Sequence, residues 1–82
     1  MRTLRYTATA LKQLRKIAPR DAARIVSKLE QYAADPAAQA NNVKVLSTGL
    51  VRLRIGDYRA IFSEDGTVVM VVKVGHRREV YE

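Results

Sequence analysis

Apolar positions recur with a helical period through the first half of the chain and alternate through much of the second. Leu11, Leu14 and Ile17 form one stripe, while Lys12, Arg15 and Lys16 point elsewhere. Ala22, Ile25, Val26, Leu29 and Tyr32 recur at i, i+3, i+4, i+7 and i+10, the signature of an amphipathic helix. The first helix is expected to begin near Thr7 or Ala8, where the threonine hydroxyl can cap free amides. Ala18-Pro19 separates the two helices, because proline suits a first helical turn. Asp35-Pro36 ends the second, since a residue before proline is pushed out of helical geometry. Ahead of them, Arg2 to Tyr6 alternates weakly, as an edge strand would.

Ala37 to Asn42 reads as a loop. Val43, Val45 and Leu46 open the sheet region, with Ser47-Thr48-Gly49 as a bulge or turn before Val51. Val51, Leu53 and Ile55 then alternate with Arg52 and Arg54, which places apolar groups on one face and guanidiniums on the other. Gly56-Asp57 interrupts this strand, Tyr58 to Phe62 resumes it, and Glu64-Asp65-Gly66 signals another turn. Thr67 to Val74 is a β-branched run suited to a strand. The expected fold is a single α+β domain over residues 1–82: an N-terminal strand, a two-helix hairpin and an antiparallel three-stranded meander, forming one sheet. The first strand is placed at the sheet edge beside the last. Leu11, Leu14, Ile25, Val26 and Leu29 are expected to be buried against Leu53, Phe62 or Met70. The hairpin covers one sheet face, so the other awaits a partner.

Composition narrows the setting. The 82 residues include no cysteine, which removes disulfides and thiolate metal sites. The longest wholly apolar run, Val68 to Val72, is far short of the ~20 residues that span a bilayer. No hydrophobic stretch follows Met1 as a signal peptide requires. These features lead to the expectation of a cytoplasmic protein. The net charge of +7 favours polyanionic partners. Residues 1–42 hold eight basic and three acidic residues, whereas residues 43–82 hold seven and five. The helices therefore carry most of the excess, and a basic helix face can track a phosphate backbone.

Antiparallel pairing would gather Arg52, Arg54, Arg59 and Arg77 into an anion site, phosphate being the natural occupant. A single histidine and scattered carboxylates show no metal-ligand spacing, and no glycine-rich loop suggests a nucleotide cradle, so no cofactor is expected. The run from Arg52 to Phe62, containing Gly56-Asp57-Tyr58-Arg59, is followed by an acidic-Gly turn, a valine-rich strand and Gly75-His76-Arg77-Arg78-Glu79-Val80-Tyr81. Together these resemble the RelE/ParE superfamily of bacterial toxin–antitoxin toxins, with a C-terminal motif closer to the RelE branch.

The resemblance spans essentially the whole chain. It implies a ribosome-dependent mRNA endoribonuclease that uses ribose 2′-hydroxyl attack without metal and is neutralised by a cognate antitoxin in a hetero-oligomer. It also implies that Arg52, Arg54, Arg59 and Arg77 surround the scissile phosphate, and that Tyr81 is an acid–base or base-stacking group. The RelE branch often carries lysine where Arg52 and Arg54 stand. Arginine is a poor general base, which leaves Tyr81, His76 or a hydroxyl acidified by the arginine field to lose or accept the proton. A ParE-like inhibitor of DNA gyrase, sharing the scaffold but lacking nuclease activity, is the alternative. A non-catalytic nucleic-acid-binding module is a third reading, supported by charge alone.

Overall fold

The computed structural model describes residues 1–80. Strand β1 (Thr3–Tyr6) leads into helices α1 (Ala8–Lys16) and α2 (Pro19–Ala34), and a 3-10 helix occupies Pro36–Asn42. Strands β2 (Val43–Val45), β3 (Val51–Ile55), β4 (Tyr58–Glu64) and β5 (Val68–His76) follow. Local chemistry sets the helix ends. The Thr7 hydroxyl accepts a hydrogen bond from the Ala10 amide at 3.1 Å, capping α1. Pro19 occupies the first turn of α2, and Asp35 leaves helical geometry before Pro36.

The five strands form one mixed sheet in the order β1-β5-β4-β3-β2. β1 runs parallel to β5, while β2 to β5 pair as antiparallel neighbours. The meander therefore has four strands rather than the three expected. Residues 46–50 close a full hairpin turn, with the Leu46 amide donating to the Leu50 carbonyl at 2.8 Å and Gly49 at φ +89°. That turn returns Val43–Val45 along Val51–Leu53 as a separate strand. The expected loop after Pro36 is a 3-10 helix instead. Pro36 fits its first turn, and buried Gln39 donates to the Gln31 side chain at 3.2 Å, holding the segment against α2.

The helix hairpin covers one face of the sheet. Ala10, Leu14, Ile25, Leu29, Tyr32 and Ala33 pack with Leu53, Ile55, Ala60, Phe62, Val69, Val71 and Val74 in a continuous core. Tyr32 meets Phe62 with ring centroids 4.8 Å apart. Two of the expected core residues fall elsewhere. Leu11 is 42% exposed, because burying the Ala10–Leu14–Ile17 row turns it about a quarter-turn away. Met70 is half-buried and belongs to the opposite sheet face. Val26 is half-buried at the margin of the core.

The second face is partly covered by the chain itself. Phe62 pairs with Val71 but Ile61 pairs with Lys73, so Val72 is an extra bulged residue. Val72 and Leu50 pack against a small cluster of Leu46, Ile61 and Val80. After β5 the chain turns back, with the Val80 amide donating to the His76 carbonyl at 3.1 Å. A Cβ on Gly75 would stand 2.9 Å from a Val80 methyl carbon, so the missing side chain is what admits Val80.

Candidate functional site

The period-two pattern of β3 decides where its arginines go. Leu53 and Ile55 face the helices, so Arg52 and Arg54 face the other way. Arg54 pairs directly with Arg59, and Arg59 with Gly75. Arg77, two residues further on, is held by its own amide, which donates to the Asp57 carbonyl at 2.7 Å. Arg54, Arg59 and Arg77 thereby line one open groove of about 550 Å³. Arg52, one pleat earlier on β3, lines an adjoining groove with Lys44, and the two grooves share Asn42 and Arg54.

The floor is the β3–β4 turn. Gly56, at φ +57°, is its first central residue and Asp57 has negative φ, as in a two-residue II′ hairpin. Arg59 folds over this turn, one guanidinium nitrogen donating to the carbonyls of Gly56 at 2.9 Å and Tyr58 at 2.8 Å. Arg54 donates to the Asn42 side-chain oxygen at 3.2 Å. Partial burial lowers the pKa of Arg59 below the usual guanidinium value, and the charges of Arg52, Arg54 and Arg77 lower it further. The arginines repel one another, so the free energy of an anion bound among them includes relief of that repulsion.

Helix α2 supplies a wall that the pattern of the strands did not announce. Arg24 and Lys28 line the same groove, one helical turn apart. The Arg24 guanidinium lies 2.9 Å from where a Gly56 Cβ would stand, and it pairs loosely with Asp21 at 3.8 Å. The excess charge of the helices signalled this in general terms. Which face of α2 adjoins which turn followed only from packing.

His76 does not join the arginines. It pairs with Tyr58 on the helix-facing side, the rings meeting edge-on at 5.8 Å, and its Nδ1 accepts a hydrogen bond from the Arg78 amide. It lines a separate cavity with Gln13, Lys16 and Glu79. Lys73 borders that cavity too, rather than the arginine groove. Tyr81 lies outside the described residues. Among those residues no group of three His, Asp or Glu side chains could hold a metal ion, and no helix is long and apolar enough to cross a membrane.

Comparison with known proteins adds to this geometry. Toxin RelG of Mycobacterium tuberculosis is 28% identical over 82 residues, covering 96% of this chain and 94% of its own. The toxin–antitoxin complex RelBE2 of the same organism contains a chain that superposes with a TM-score of 0.80 at 30% identity, over 93% of this chain and 98% of that one. A mutant of the Escherichia coli toxin RelE in its free state gives a TM-score of 0.69 at 26% identity, covering 92% and 82%. The archaeal RelE–RelB complex of Pyrococcus horikoshii shares the fold at 23% identity, with a TM-score of 0.78 over 96% and 98%. Residues 4–81 match the family described as the ParE toxin of type II toxin–antitoxin systems. With a match of that extent and RelE-like relatives at this similarity, the chain belongs to the RelE/ParE family of type II toxin–antitoxin toxins.

Proposed function

We propose that this toxin is a ribosome-dependent endoribonuclease that cuts mRNA and is held inactive by a cognate antitoxin. The observation that carries the proposal is the convergence of Arg54, Arg59 and Arg77 in one groove, with Arg52 on the same face. In the reaction the ribose 2′-oxygen attacks the adjacent phosphorus as its proton leaves. The bond from phosphorus to the 5′-oxygen then breaks, that oxygen gains a proton, and a 2′,3′-cyclic phosphate remains. Negative charge grows on the non-bridging oxygens at the phosphorane, where fixed guanidiniums stabilise it more than in the ground state. Arg59 and Arg77 clamp those oxygens, and Arg52 and Arg54 hold the flanking backbone.

The placement of His76 on the helix-facing side weighs against it as the proton acceptor. Tyr81 and a hydroxyl acidified by the arginine field remain. A site whose strand-borne cations are all arginines, poor general bases, suits an activity in which the ribosome orients the substrate. The solved RelBE2 structure is a toxin–antitoxin complex, which supports a cognate antitoxin and a hetero-oligomer here.

The match to the ParE family description favours a second reading, inhibition of DNA gyrase without RNA cleavage. Two assays on the purified toxin separate them: primer extension on ribosome-bound mRNA, and gyrase supercoiling. Cleavage with undisturbed supercoiling supports the nuclease. Inhibited supercoiling without cleavage at any concentration overturns it.

A further inference from the structure

We infer that Arg24 and Lys28 of α2 bind further phosphates of the RNA strand, making the groove a track that runs from the β3–β4 turn onto the helix. This deepens the nuclease reading by naming how the strand is held beyond the scissile phosphate. Among the described residues, five cationic side chains and a single carboxylate, Asp57, line the groove. Two of those cations, Arg24 and Lys28, come from an element outside the motif that gathers the others.

Arg24 and Lys28 are separated by one helical turn, about 6 Å along the axis. They form a row rather than a point, and a row suits a chain of anions. Arg24 is the member of that row nearest the turn: its guanidinium lies over Gly56, 2.9 Å from where a Cβ would stand, and so beside the backbone that Arg59 also folds onto. The track also continues in the other direction, because Asn42 and Arg54 border both this groove and the one lined by Lys44 and Arg52. Among the described residues, Ile55 is the one bulky apolar residue lining the main groove. An acidic peptide would find charge there but few apolar pockets for its side chains, whereas a single strand presents a phosphate at every step. The geometry thus favours RNA over a protein segment.

The test uses the whole toxin and a fluorescent single-stranded oligoribonucleotide made uncleavable by 2′-O-methylation. Its affinity is measured by anisotropy across a range of salt concentrations. For single strands the slope of log affinity against log salt changes by about 0.7 for each phosphate contact. Arg24→Gln and Lys28→Gln should each make the slope shallower by about that amount, and the double variant by about twice as much. Arg24→Lys, which keeps the charge, should restore most of it. Lys12→Gln, on the exposed face of α1, should change it less than either. On ribosome-bound mRNA, Arg24→Gln should raise KM with little change in kcat, the mark of a contact made equally in ground and transition states.

Slopes unchanged in the Arg24 and Lys28 variants overturn the inference, as does an equal loss from Lys12→Gln. Failure of the unmutated toxin to bind the oligonucleotide at low salt overturns it too, and a slope that responds only with an acidic peptide as probe assigns the groove to a protein segment instead. The probe cannot be cut, so the outcome is independent of catalysis. A toxin that binds as described but leaves mRNA intact loses the nuclease reading and keeps the track.

Discussion

Arg54 and Arg59 stand directly opposite each other on neighbouring antiparallel strands, both on the sheet face away from the helices. Like charges so paired are destabilising by a few tenths of a kcal/mol to about 1 kcal/mol. The fold tolerates this repulsion where the groove needs concentrated positive charge. Arg54→Gln should therefore raise the stability of the free toxin by up to about 1 kcal/mol at low ionic strength. The gain should shrink as salt screens the pair. Urea denaturation at two salt concentrations checks both; a loss of stability at low salt contradicts the repulsion.

Arg59→Ala and Arg77→Ala should each lower cleavage of ribosome-bound mRNA by about 100-fold or more, the scale of losing one preorganised donor to a developing oxyanion. Because those contacts strengthen at the phosphorane, the loss should appear in kcat. His76→Asn should change kcat far less, since the ring lies across the sheet from the groove. Single-turnover kinetics distinguish the two patterns.

Leu29 is fully buried between α2 and the sheet. Leu29→Ala should cost about 2–5 kcal/mol, a large share of the stability of a domain this small. Leu11→Ala should cost less than about 1 kcal/mol, because Leu11 is largely exposed. Thermal and chemical denaturation of the two variants measure the contrast.

Tyr6 and Tyr32 should make the toxin sensitive to alkali. Burial is the main cause that pushes each phenol up to about 12, and Tyr32 also donates to Glu64 at 2.5 Å. An acid whose folded pKa exceeds its unfolded value binds its proton more tightly when folded. Its contribution is complete below pH 10 and is lost as pH rises through about 12. Melting temperature should fall across that window, and Tyr32→Phe should flatten part of the fall. An ultraviolet titration in which every tyrosine ionises near its ordinary value contradicts this.

The antitoxin proposal has its own thermodynamic signature. A partner that binds only the folded toxin stabilises it by about 2.7 kcal/mol when present at a hundred times its dissociation constant. Co-expression with the product of the neighbouring reading frame should therefore raise the melting temperature of the toxin and abolish its toxicity. A melting point indifferent to that product contradicts the proposal.

Much of this was legible in the residue order because it depends on local chemistry. Thr7, Pro19 and Asp35-Pro36 set helix ends through backbone rules that act within a few residues. Alternation in β3 sent Arg52 and Arg54 to one face whatever the strand paired with, and the motif around Arg59 and Arg77 carried the family resemblance. Tertiary structure decided what depends on which segments meet. Val43–Val45 became a separate strand only because the turn at residues 46–50 closes on itself. Leu11 left the core because a nine-residue helix can bury one row, and Ala10–Leu14–Ile17 took it. His76 and Arg77 are adjacent in the chain yet serve different cavities, since successive residues at a strand end point to opposite faces. Arg24 and Lys28 are ordinary basic residues on an amphipathic helix until packing sets Arg24 over Gly56 and both along the groove. Their place in the groove comes from contacts across more than twenty-five residues of chain, which no local pattern encodes.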